Sequence, residues 1–276
     1  MRAVFAIPVD AFRRFNADDG WAIASHIALS TLMSLFPFVI LVTAVAGFFG
    51  FKDLADEVAR LLLETWPKEV AGPIAREIHR ALTTARGDVL TIGAAFALYF
   101  SSSGVESLRI GLNRAYGVNE ARNWLLLRLE SILYVIIGAL ALIALAFLVV
   151  LGPLIFAIAV RYAPWLAPLE VTVTFLRYSI ASFMLVVALI VAHKWLPAGR
   201  RRFRDIGPGI IATLVMWLAS GIAFARYLAD FASAYVTTYA GLASVMIALV
   251  FLYWTASIFI YGGELNAAIT RARTRA

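Results

Sequence analysis

Apolar residues in this chain gather in long runs rather than in the short amphipathic stripes of a soluble fold. Six runs stand out, at about 22–50, 88–104, 131–160, 172–193, 207–228 and 240–263. Crossing a bilayer takes about 20 apolar residues at a rise of about 1.5 Å each. The last run is the clearest: GLASVMIALVFLYWTASIFIYGG at 241–263 holds no charge, and Glu264, Asn266, Arg271, Arg273 and Arg275 follow it. The pattern predicts an all-α, polytopic membrane helix bundle of six transmembrane helices. Phe36-Pro37 predicts a broken first span, because proline removes an intrahelical hydrogen bond. Gly152-Pro153 predicts a broken third span, which is too long for one untilted crossing. Between the first two spans, Leu54, Val58, Leu61 and Leu62 recur at helical spacing. Residues 51–87 are therefore expected to form an amphipathic extracytoplasmic segment, lying on lipid or capping the bundle. With no repeat, low-complexity tract or soluble stretch, residues 1–276 are expected to be one domain.

Composition agrees. Hydrophobic residues make up 62% and charged residues 15%, against about 45–50% and 25% in soluble domains. The net charge of +7 suits cytoplasmic loops that set topology and meet anionic headgroups. Cysteine is absent, which removes disulfides, thiolate metal sites and thiol nucleophiles. Asp10, Asp18 and Asp19 interrupt the stretch before the first run, so no signal peptide is expected. The N-terminal segment, the 104–130 and 194–206 connections and the tail together carry 15 Lys and Arg, and the opposite connections carry 8. This asymmetry predicts cytoplasmic termini.

Four ordered stretches resemble one family, the YihY/virulence factor BrkB proteins historically labelled ribonuclease BN-like. They are ASHIALSTLMSLFPFVI at 24–40, SSSGVESLRIGLNRAYGV at 101–118, RFRDIGPGIIATLVMWLAS at 202–220, and YLADFASAYVTTYAGLAS at 227–244, which leads to GGELNA at 262–267. Tyr239-Ala240-Gly241 departs from the family's more frequent Tyr-Gly-Ser. The resemblance implies a bacterial inner-membrane protein with six helices, and no particular reaction.

Helical spacing places the few polar groups. Ser102, Glu106, Arg109 and Asn113 fall within about 60° of arc, and Glu106 is positioned to pair with Arg109 at i, i+3. Tyr253, Ser257, Tyr261 and Glu264 share a second stripe, and His26, Ser30 and Ser34 a third. One reading is a polar cavity open to the cytoplasm, with Glu106, Arg109, Asn113, Glu264, Asn266 and His26 as cavity or gating groups. The other is that these groups stand at headgroup level, Glu264 pairing with a cytoplasmic arginine. Asp230, Tyr235 and Tyr239 form a candidate outer gate, or part of an ordinary interfacial aromatic belt. Pro208-Gly209 and Gly262-Gly263 read equally as hinges or as a helix start and a close-packing site.

No HxH, HExxH or Asp-rich cluster, nucleotide fingerprint or nucleophile elbow occurs, so neither a metal-dependent nuclease nor an ATP-driven pump fits. No enzyme activity, cofactor, metal or nucleic-acid partner is expected. Membrane lipids, with anionic headgroups at the basic loops, are the expected partners. The leading expectation is a transporter or flippase-like protein for a lipid or other amphipathic envelope molecule. The alternative is a non-transporting envelope-maintenance or scaffold protein.

Overall fold

A computed structural model of the chain describes residues 2–48, 87–239 and 243–275, and among these it is built from helices and short turns. The helices are α1 (Arg2–Ala17), α2 (Gly20–Phe48), α3 (Gly87–Ala115), α4 (Trp124–Ala146), α5 (Gly152–Tyr162), α6 (Glu170–Trp195), α7 (Phe203–Tyr239) and α8 (Ala243–Arg275). A π-helical turn, Phe147–Leu151, joins α4 to α5, and a 3₁₀ stretch, Pro164–Leu169, leads into α6. Four segments are long and apolar enough to cross a membrane: Trp124–Val149, Pro164–Trp195, Phe203–Leu228 and Val245–Thr274. Gly20–Leu35 is a shorter apolar helix. The amphipathic segment expected at 51–87 lies outside the described residues, except Gly87, which opens α3.

The first span is not broken as expected. Pro37 lies inside α2 without ending it, because a proline removes one backbone donor while the rest of the ladder continues. The third span is broken, just before Gly152-Pro153. Pro153 has no N–H, so Val149 O loses its i+4 donor and Leu148 O its i+5 donor. Arg177 of α6 replaces both, donating from Nε to Leu148 O (3.1 Å) and from Nη2 to Val149 O (2.9 Å). The arm passes close to Gly152: a Cβ there would be in ordinary contact with Arg177 Cδ at 3.4 Å.

The core joins α1, α2, α3, α6, α7 and α8 through buried residues that include Phe15, Ile27, Leu112, Leu189, Ile210 and Ile260. Close approach depends on missing side chains. A Cβ on Gly209 of α7 would lie 2.1 Å from Gly262 O, and one on Gly262 2.2 Å from Thr213 Oγ1. The glycine pairs read as hinges or packing sites thus include a tight α7–α8 crossing. Ser34 of α2 meets Gly104 of α3 in the same manner. The four segments that sequence placed on one side do meet at one end, called here the basic end. Arg114 pairs with Asp19 (3.3 Å), Arg271 with Asp10 (3.7 Å) and Arg273 with Asp205 (3.3 Å).

Candidate functional site

Two polar networks and one isolated carboxylate occupy the basic end. The first network lies between α3, α4 and the turn joining them. Arg109, 3% exposed, donates to Ser131 Oγ (2.8 Å) and Leu127 O (3.2 Å) and stands 3.6 Å from Glu130. Glu130 also accepts from Arg122 (3.0 Å) and from Tyr134 (3.2 Å). Arg122 grips Glu120 through Nε and Nη2 and reaches Leu196 O (3.0 Å). Those hydrogen bonds hold the Glu120 carboxyl well below the usual carboxylate range, at about 2. Asn113 closes the circuit: its Nδ2 donates to Glu120 (3.1 Å), and its Oδ1 accepts from Ala198 N (2.7 Å).

Glu106 does not pair with Arg109 as the i, i+3 spacing predicts. Its partner is Arg128 of α4, whose guanidinium also donates to Tyr99 O and lies 3.7 Å from the Tyr99 ring centroid. The reason is geometric. Helix α4 runs beside α3 and brings Arg128 to Glu106 and Glu130 to Arg109, and pairs across helices displace the weak pair within one helix.

The second network ties four helices. Asn266 of α8 accepts from Gly209 N of α7 (2.7 Å) and donates to Tyr116 Oη beyond α3 (3.1 Å). Tyr116 in turn meets His193 Nδ1 of α6 at 2.9 Å. With its oxygen accepting from Asn266, the phenol is left to donate to His193. Burial pushes the phenol up to about 12, so it keeps that proton. Arg201 covers the ring at 3.9 Å. His193 is fully buried and tilted against Phe259 at 4.8 Å, and its Nε2 has no partner.

Glu264 belongs to neither network. It is 1% exposed, and its Oε2 is buried without a hydrogen bond. The charges around it are Asp18, Arg271, Arg14 and Asp10, and Asp10 is already engaged with Arg14 (3.5 Å) and Arg271 (3.7 Å). The pairing with an arginine foreseen for Glu264 is therefore not formed. The stripe it ends faces α1 and the start of α2: Tyr261 donates to Pro8 O (3.3 Å) and packs on Phe15, while Tyr253 packs on Trp21. Ser257 and Tyr261 line a cavity of about 310 Å³ beside α1 and α2, and Glu264 follows one turn later.

Of the predicted cavity groups, the structure brings Arg109 and Asn113 together, sets Glu106 on the flank of that network, and puts Asn266 in the second. One shared cavity is replaced by separate sites, because α3 and α8 turn their polar faces toward different neighbours. His26 is exposed on α2 and joins neither network. Asp230, Tyr235 and Tyr239 lie on the described helix α7, but their side chains lie outside the described residues. Among the described residues, no three His, Asp or Glu side chains gather to hold a metal. Sequence reasoning passed over Glu120, Glu130, Tyr116 and Tyr134, and it used Arg122, Arg128 and Arg201 only to count charge.

The profile described as virulence factor BrkB matches residues 11–276. The putative ribonuclease-like protein YfkH of Bacillus subtilis is 24% identical over 272 residues, covering 96% of this chain and 95% of that one. A UPF0761 membrane protein of Rhodospirillum centenum is also 24% identical over 272 residues, but the match covers only 57% of its greater length. No solved structure is a significant match.

Proposed function

Because the chain belongs to the virulence factor BrkB family of membrane proteins, we propose that it is a transporter or flippase-like protein. Its cargo is a lipid or other amphipathic envelope molecule. In this reading it crosses the bacterial inner membrane several times, keeps both termini in the cytoplasm and is not an enzyme. Its basic loops meet anionic headgroups rather than nucleic acid. The observation that carries the reading is Glu264, a buried carboxylate in a membrane helix with an unpartnered oxygen. Ionisable groups buried inside membrane helices are costly and mark substrate or ion pathways. Arg109, Arg122 and Arg128 turn their charge inward to Glu130, Glu120 and Glu106, which sets Glu264 apart among the buried acidic groups of the described residues. The test follows the movement of a fluorescent short-chain phospholipid across proteoliposomes that hold the full chain. Glu264→Gln should slow it about tenfold, which corresponds to about 1.4 kcal/mol. Equal rates in protein-free and protein-loaded vesicles would overturn transport and favour the envelope-scaffold reading.

A further inference from the structure

Between α4 and α6 lies a cavity of about 350 Å³ walled almost wholly by apolar side chains. Tyr134, Ile137, Gly138 and Ala141 form one wall, α6 from Phe183 to Leu196 forms the other, and Val105 and Leu108 of α3 form the floor. Both walls belong to segments long and apolar enough to cross a membrane. The cavity thus stands at bilayer depth, where the surrounding solvent is hydrocarbon. We propose that it binds one acyl chain of an anionic phospholipid, held with its headgroup at the basic end.

Length suits an acyl chain: thirteen residue steps from Phe183 to Leu196 span about 20 Å at 1.5 Å per residue. Charge argues for an anionic headgroup. The Leu196 end of the slot runs straight into the 196–202 turn, where Arg200 and Arg202 are exposed and carry no ion pair among the described residues. Clustered arginines at such a boundary attract anionic lipid. The ends of the slot are also tied. Arg122 bonds to Leu196 O at one end, and Arg177 joins α6 to the π-helical turn beyond the other. Between these ties, α4 contributes Gly138, and a Cβ added there meets nothing within 4 Å. A larger residue at 138 projects into free space and fills the slot.

This assignment deepens the transport reading and rests on it only for what the bound lipid is for. The experiment uses the full chain in phosphatidylcholine nanodiscs holding a minor share of phosphatidylglycerol with a photoreactive mid-chain diazirine. Adducts are mapped by peptide mass spectrometry and competed with unlabelled phosphatidylglycerol. The expected adducts concentrate on 134–141 and 183–192 rather than on the lipid-facing residues Val215 and Leu218 of α7, and they fall under competition. Gly138→Trp should reduce them about tenfold or more, as the loss of about two buried methylenes would. Gly138→Ala should leave them unchanged, and Ala188→Phe on the facing wall repeats the block if the tryptophan variant misfolds. Arg200→Gln with Arg202→Gln should remove the preference for phosphatidylglycerol over phosphatidylcholine. Labelling spread evenly over α7, or untouched by both blocking variants, overturns the site, and so does a protein–protein crosslink filling the slot. If adducts behave as expected but vesicles loaded with the protein move lipid no faster than protein-free ones, the site stands and the transport reading falls. If movement persists without slot labelling, the reverse holds.

Discussion

Arg109 and Glu264 are buried ionisable groups at the same end of one bundle, with opposite surroundings. Arg109 has a carboxylate, a hydroxyl and a carbonyl within reach. Glu264 has an oxygen that nothing donates to. A buried charge costs several kcal/mol unless pairing and hydrogen bonds offset it. Arg109 meets that condition and braces α3 against α4. Glu264 does not, so the fold is less stable for keeping it. The difference separates a charge that builds the structure from one that must be explained by use.

The comparison breaks first at Glu130. Replacing it by leucine strips Arg109 and Arg122 of their shared carboxylate, and the expected loss is about 3 kcal/mol, read as thermal stability in detergent. A loss below about 1 kcal/mol would put the network on a par with surface ion pairs. Acid probes the same network through Glu120. Its folded value of about 2 lies below the ordinary 4.5, so its contribution is complete above pH 4.5 and disappears as pH falls toward 2. Solvent reaches this carboxylate and screens it, so the effect is worth about 2 kcal/mol at most. Wild type should therefore melt well above Glu120→Gln at neutral pH and converge with it in acid. A gap that stays constant through that window rules the carboxylate out as the cause. Arg177→Met leaves Leu148 O and Val149 O without donors and should cost about 2 kcal/mol. Full stability in that variant would mean that the π-helical turn finds other donors. The smallest effect carries the opposite sign. Glu264→Gln removes an unpaired charge and should leave stability unchanged or raise it by about 1 kcal/mol. A clear loss of stability there would make Glu264 another structural charge.

The spans were legible because long charge-free runs have few alternatives in water, and the described part of each expected run is helical, the third crossing from α4 through the π-helical turn into α5. Helical spacing also chose Arg109 and Asn113 correctly as companions on α3. It failed at their partners, since Glu120, Arg122 and Glu130 reach the site from the next turn and helix, a relation that no periodicity encodes. The same limit produced the Glu106–Arg109 pairing: the i, i+3 geometry was available, but Arg128 arrives 22 residues later in the chain. Helix α1 escaped notice although Ala11 and Phe15, one turn apart, are its buried contacts. Its acidic residue, Asp10, served only as evidence against a signal peptide. Asn266 carried a readable hint, a polar side chain just after a Gly-Gly pair, but its role depends on Gly209 lying across from it.

That crossing has a mechanical consequence. At Gly209 and Gly262, α7 and α8 touch backbone to backbone near one extremity of α7. The crossing is the first of several ties along the pair: farther along, Trp217 of α7 donates to Thr255 O of α8 (3.0 Å), and Phe224 packs on Phe251. Bulk added at the glycines would therefore pry the two helices apart along their shared length rather than at one point.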